Sequence, residues 1–393
     1  MKEATKNQLE SNLGKLYWMH FLGSTNFHLV VYTLFLLSKG FSMTQFFIIE
    51  SGGMVSKLLA EIPTGMFADR IGRKWSLILS YVPGIFVMPV FIISDSFIVC
   101  LIIMSLGGLW AAFASGADSA ILYDTLIGLE REKEFKKTLG KFRWGGAWSG
   151  AFAGILAGFM ANYGLAYPWW AGYFVGFPML FLTINLVEPP IHREGQRESG
   201  LKHLGQSLRL SFTGSSGYFV LYASTIWTFF VLGFFLWQPY LKLSGLALAF
   251  FGIFYALESI VSGLVSRYAH GIELKVGMKA SLLLIPLVLA LAFILESQFV
   301  FVLGFLFIFI QSISSGYFSP VLEDYVNSRI PSSKRATILS IKNMMHSLSY
   351  AVISPLLGYF IDLYSLQAAL LGMGIMLILV ATIFFVASER RSN

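Results

Sequence analysis

Apolar residues run along this chain in long blocks parted by short polar stretches. A block of about 20 mostly apolar residues is what a helix needs to cross a bilayer. Twelve such blocks can be read, at 16–38, 43–67, 76–95, 97–125, 142–163, 167–187, 215–240, 245–268, 277–295, 298–326, 337–361 and 366–387. They are too long and too continuously apolar for barrel strands, which alternate in polarity over about ten residues. The pattern predicts an all-α integral membrane protein with twelve transmembrane helices. The polar N-terminus, Met1 to Lys15, has no small-residue cleavage site before the first block, so that block is expected to be retained.

Composition agrees with the pattern. Of 393 residues, 56% are hydrophobic and 12% are charged, about half the charged content of a soluble domain. Ordinary soluble enzymes, disordered chains and coiled coils are excluded on that ground. A disulfide scaffold is excluded by a single cysteine, Cys100. The basic residues then test the helix count, because cytoplasmic loops collect Lys and Arg. With both termini inside, 25 of the 28 Lys and Arg fall on inner segments; Lys39 and Lys242 fall outside and Lys57 within a span. The net charge of +7 is thereby read as a topology signal, and no nucleic-acid partner is expected. The expected location is the cell (inner) membrane, multi-pass, with cytoplasmic termini and the lipid bilayer as partner.

A shift of 200 places Ser115-Gly116 on Ser315-Gly316, Leu122 on Leu322 and Asp124 on Asp324, and also Ser149 on Ser349 and Gly158 on Gly358. These matches predict two parallel, pseudo-symmetric six-helix bundles, at 1–187 and 213–393, an arrangement met in many transporters. Between them, 188–212 carries Pro189, Pro190, Gly195, Gly200 and both signs of charge, and reads as a cytoplasmic linker. Leu201, Leu204 and Leu208 leave open a short helix on the membrane surface or a polar linker with scattered leucines. Span 5 carries Gly146, Gly150, Gly154 and Gly158, a spacing that predicts a close helix–helix seam.

The loop after the second block reads Gly65-Met-Phe-Ala-Asp69-Arg70-Ile-Gly72-Arg73-Lys74. It resembles the loop 2–3 signature of the major facilitator superfamily, with one extra small residue before the Asp. Glu61-Ile-Pro-Thr-Gly65 and Ser115-Gly-Ala-Asp118-Ser-Ala-Ile-Leu-Tyr123-Asp124 are similar to a large, multidrug-efflux-like bacterial branch of that family. The chemistry of the loop suits a contact: glycines allow a tight turn, Asp69 can meet a helix start, and the planar fork of Arg73 fits a carboxylate. The resemblance implies a conformational latch of Gly65, Asp69, Arg70, Gly72, Arg73, Lys74 and Asp124 that breaks as the halves rock; the bland alternative is a topogenic basic loop. The equivalent loop 8–9, from Arg267 to Lys275, has no such motif. The Gly-Pro pair that drug–proton antiporters of the family carry in span 5 is absent, Ser354-Pro355 in span 11 being the nearest equivalent.

Ionisable groups within a span are costly and functional by default. Glu50, Lys57 and Glu61 in span 2 are spaced seven and four apart, on one helix face. They predict either a self-neutralising ladder or a pair whose partner changes during transport. Glu50, Lys57, Asp118 and Glu258 are the candidates for proton coupling, since a carboxylate that is alternately shielded and wet couples protonation to shape. His20 and His28 read as core histidines; no Cys/His/Asp cluster has metal-ligand spacing, and no metal or cofactor is expected. In the resembling family spans 1, 4, 7 and 10 line the cavity, which places Tyr32, Asp118, Trp227 and Gln311 there.

No nucleotide-binding P-loop occurs, and no convergent nucleophile, base or metal set suggests an enzyme. The longest loop, about 25 residues, is short for the soluble domain of a sensor, and the latch motif disfavours a channel. The expectation is a monomeric secondary transporter working by alternating access: proton-coupled efflux of amphipathic small molecules. The alternative is a proton symporter importing a small, possibly anionic metabolite.

Overall fold

A computed structural model describes residues 3–189, 214–328 and 335–392, with side chains over 6–189, 217–325 and 341–386. Every long element among them is helical. The first half contains α1 (Glu3–Gly23), α2 (Tyr32–Ser38), α3 (Met43–Ile71), α4 (Arg73–Ile93), α5 (Phe97–Ala114), α6 (Ala117–Gly128), α7 (Phe135–Ala161) and α8 (Tyr167–Ile184). The second contains α9 (Gly214–Leu243), α10 (Ala249–Val276), α11 (Met278–Gln298), α12 (Phe305–Ser328), α13 (Arg335–Leu363) and α14 (Leu366–Ser392). These fourteen helices account for the twelve predicted spans, because spans 1 and 4 are each broken in two. The linker expected beyond Pro189, with its leucines, and the basic residues of 329–334 lie outside the described residues.

Among the described residues, with α5 and α6 taken together, eight helices are long and apolar enough to cross a membrane, and the bent pair of residues 6–30 and 32–38, which turns by 47°, makes a ninth if it is one span. The remaining three spans are α3, α7 and α8. Each falls short for a visible reason: five charges in α3, a basic first turn and many glycines in α7, and the Tyr, Trp and Pro content of α8. The break in span 4 falls at Ser115-Gly116, where Gly116 has φ +77°, a left-handed conformation that glycine adopts without a Cβ penalty. Gly316, its partner in the 200-residue alignment, lies inside the unbroken α12.

That contrast corrects the register of the repeat. The starts of α5 and α12 lie 208 positions apart (97 and 305), whereas those of α8 and α14 lie 199 apart (167 and 366). The first half therefore holds additional residues between the start of its fourth span and that of its sixth, a stretch that contains the broken helix. The packing shows the same offset. A Cβ on Gly108 of α5 would strike the Gly53 carbonyl of α3, and one on Gly316 of α12 would strike the Ser262 carbonyl of α10; 108 and 316 also differ by 208. Lipid offers apolar side chains no escape from water between helices, so such close backbone approach carries much of the association.

The chain divides into two compact units, one of Met1–Gly40 with Ile49–Glu198 and one of Phe41–Ile48 with Ser199–Asn393. In the first, Leu16, Leu77, Ile121, Leu126, Phe142 and Leu186 converge from α1, α4, α6, α7 and the end of α8. The glycine run of α7 faces α1: Cβ atoms at Gly145 and Gly146 would come within 2.7 Å of the Tyr17 hydroxyl and 2.5 Å of Ser24 Oγ. In the second, α11 packs on α14, α10 on α12 and α9 on α13. Residues 41–48 join it through Asp362, whose carboxylate accepts from the Met43 and Thr44 N–H groups at 2.9 and 2.8 Å.

Candidate functional site

Within the second unit, α9, α10 and α12 enclose a cavity of about 200 Å³. Its walls are aromatic: Trp227, Phe230, Phe234, Trp237, Phe254 and Tyr255. Its polar groups converge from two helices. Glu258 of α10 accepts a hydrogen bond from Ser312 Oγ of α12 at 3.1 Å. One residue earlier on α12, Gln311 Nε2 donates to Glu296 Oε1 of α11 at 2.6 Å. Three of the expected site residues, Trp227, Glu258 and Gln311, thus line one space.

Glu296 is the residue the sequence did not single out. Span 9 was expected to end at 295, which leaves this carboxyl in an outer loop. Instead α11 continues to Gln298 and Glu296 is 1% exposed. Gly233 of α9 gives the room for the pair: a Cβ there would lie 2.5 Å from Gln311 Oε1 and 2.9 Å from the Phe293 ring. The helical pattern around Glu296, with Phe293 and Ala292 buried on the same turn, was the available signal.

In the first unit the Tyr32 hydroxyl donates to Glu50 Oε1, joining a cavity candidate to a coupling candidate. Tyr32 is buried among aromatic rings centred on Trp169, with His28, Phe35 and Phe91 at centroid distances of 4.8–5.0 Å from it. Each half carries a carboxylate with a hydroxyl partner in its second span, Glu50 with Tyr32 and Glu258 with Ser312. The expected charge ladder of α3 does not close: among the described residues Lys57 forms no ion pair with Glu50 or Glu61. Asp118 stands apart from these groups, exposed in the first turn of α6, where its Oδ1 accepts from the Ser119 N–H at 2.6 Å. It lines a separate cavity of about 240 Å³ with His20, Ser24 and Tyr81.

The loop of residues 65–74 is built around a tight turn. α3 ends at Ile71 and α4 begins at Arg73, with Gly72 alone between them at φ +133°. Arg73 reaches back one turn to Asp69, Nη2 to Oδ1, at 3.1 Å. The start of α4 carries orphan backbone donors, and two of these are met by Glu188. Its two carboxylate oxygens accept from the Arg73 and Lys74 N–H groups, each at 2.7 Å. Glu188 is held there because the buried Asn12 of α1 brackets Val187: its Nδ2 donates to the Val187 carbonyl at 2.7 Å, and its Oδ1 accepts from the Val187 N–H at 3.0 Å. Asp124 lies on α6, half-buried one turn before its end, while Gly65, Arg70 and Lys74 share the α3–α4 corner.

Comparison with known proteins follows this geometry. The family model of the Major Facilitator Superfamily matches residues 16–310 and 245–393. An uncharacterized MFS-type transporter of Bacillus subtilis (strain 168), YxaM, is 21% identical over an alignment of 391 positions that covers 92% of each chain. Among solved structures, the nucleoside transporter NupG is similar with a TM-score of 0.82 at 13% identity, over 95% of this chain and 98% of that one. A bacterial homologue of the lysosomal transporter Spinster, inward-facing and unoccupied, gives 0.72 at 15% identity over 98% and 97%. A D-xylose–proton symporter gives 0.67 at 14% identity over 98% and 97%. Helical throughout its long elements, repeated at an offset near two hundred residues and matched by the family model over nearly its whole length, this chain belongs to the Major Facilitator Superfamily and is a membrane transporter of that type.

Proposed function

We propose that the protein is a monomeric inner-membrane transporter, termini cytoplasmic, that exports amphipathic small molecules in exchange for protons by alternating access. The observation that carries this reading is the cavity of α9, α10 and α12. Its aromatic walls suit an apolar solute, and Glu258, hydrogen-bonded to Ser312, is the ionisable group on its surface. A carboxyl in such a place can hold a proton when the solute is away and release it when a cationic solute sits beside the ionised form. Glu50, in the second span of the first half and bonded to Tyr32, is a second proton carrier. That a D-xylose–proton symporter shares the fold is consistent with proton coupling. The Asp69–Arg73 pair, with Asp124 and the α4 cap, serves as the latch that opens and closes during the cycle.

A second reading, import of a small anionic metabolite with protons, is favoured by one observation: Lys57, near the middle of α3, has no ion-pair partner among the described residues. The sign of the proton movement separates the two. Energised inverted vesicles that lose part of their proton gradient on addition of an amphipathic cation support exchange. Loss of the response in Glu258→Gln, with protein level unchanged, assigns the proton to that carboxyl. An undiminished response in Glu258→Gln and in Glu50→Gln defeats the assignment.

A further inference from the structure

A second cavity of about 220 Å³ lies beside the first in the same unit, between α9, α12 and α13, with Trp227 in the wall of both. Its chemistry differs. One side is aromatic: the Trp227 and Phe318 rings lie 6.2 Å apart and 21° from parallel. His346 closes that side edge-on to Trp227 at 6.3 Å, with its Nδ1 3.2 Å from Thr228 Oγ1. The other side carries Glu323 from the last turns of α12 and Lys342 and Asn343 from the early turns of α13.

Glu323 and Lys342 are of opposite sign and face one small space, yet no ion pair joins them within 4.0 Å, and among the described residues neither side chain has another hydrogen-bond or ion-pair partner. Each charge keeps its donors or acceptors available to a third body. A molecule with an ammonium and a carboxylate on one carbon would meet both, its ring covered by the Trp227–Phe318 wall. An apolar ligand would leave both charges desolvated and unpaired, which is unfavourable. A simple anion would satisfy Lys342 and be repelled by Glu323; a simple cation would meet the reverse.

We infer that this cavity is a binding site for small aromatic zwitterions, with Lys342 receiving the carboxylate, Glu323 the ammonium and Trp227 with Phe318 the ring. The inference deepens the export proposal by naming a substrate class, and it rests on that proposal only for the purpose of binding. Its test is an equilibrium measurement that needs neither a gradient nor a direction of transport, so each can fail without the other.

The purified full chain in lipid nanodiscs is titrated calorimetrically with L-phenylalanine, phenethylamine and 3-phenylpropionate. Phenylalanine is expected to bind about tenfold or more tighter than either single-charge analogue, each charge-assisted contact being worth at least that factor. Lys342→Gln should weaken phenylalanine by about tenfold and retain or tighten phenethylamine, which it relieves of a like charge. Glu323→Gln should weaken phenylalanine similarly and retain or tighten 3-phenylpropionate for the same reason. The retained probe in each variant shows that the cavity is still folded. Absence of phenylalanine binding to the unsubstituted protein overturns the inference. So does equal loss of all three probes in either variant, or no change in any of them.

Discussion

Removing the Glu188 carboxylate should loosen the first unit at the start of α4, by an amount that the geometry bounds. Two backbone donors, those of Arg73 and Lys74, each meet a carboxylate oxygen at 2.7 Å. Hydrogen bonds to a charged partner contribute about 1.5–3 kcal/mol each when the donor would otherwise be unmet, and loss of a helix N-cap costs about 1 kcal/mol where water can replace it. Glu188 is half-buried, so partial solvent replacement places Glu188→Ala between these limits, at about 2–3 kcal/mol. Glu188→Gln keeps one acceptor oxygen and turns an NH₂ group toward the other donor; about 1–2 kcal/mol is expected. Gly72→Ala should destabilise by about 1–3 kcal/mol, because φ +133° is strained for any side chain. Its new Cβ also meets the Glu188 carboxyl carbon at 3.0 Å. In the Glu188→Ala background that contact is gone and only the backbone strain remains, so the two substitutions together should cost less than their sum. Reversible unfolding of the purified protein in mixed micelles of rising SDS content measures all four proteins. A Glu188→Ala midpoint that matches the unsubstituted protein, or strict additivity with Gly72→Ala, would refute the cap.

Other expectations are as direct. Gly108→Ala and Gly316→Ala each drive a Cβ into a neighbouring helix backbone and should destabilise by about 1–3 kcal/mol or more, whereas Gly107→Ala, with nothing within 4 Å, should be silent in the same unfolding assay. Gly233→Ala should displace Gln311 from Glu296, since the added Cβ would sit 2.5 Å from Gln311 Oε1; a loss of about 1–3 kcal/mol is expected, along with altered solute affinity in binding titrations, and normal behaviour in both would separate that pair from the cavity. Glu296→Gln preserves the volume and can keep a hydrogen bond to Gln311, so it should fold normally; its proton release on solute binding, read with a pH dye in weak buffer, shows whether this second carboxyl takes part.

The spans were legible in the sequence because bilayer thickness imposes a length on every apolar block. Breaks inside a span were not. Gly116 is one of 37 glycines, and nothing local distinguishes a glycine at φ +77° from one inside a helix such as Gly316. That break misplaced the repeat by eight residues in span 4 while leaving spans 5 and 11 in register. Trp227, Glu258 and Gln311 were found because polar or aromatic residues in apolar helices face protein. Glu188 and Glu296 were missed because each sits at a predicted helix end. The contacts that give them meaning, 115 residues away at Arg73 and 15 residues away at Gln311, belong to the fold and to no local pattern.

Proteoliposomes loaded with a pH dye and given a fluorescent amphipathic cation report solute flux and proton movement together. Saturable solute movement with opposed proton movement is predicted for the unsubstituted protein, and loss of the proton-linked component with solute binding intact for Glu258→Gln. Flux that never saturates, or opposed proton movement undiminished in Glu258→Gln, would contradict export driven through that carboxyl.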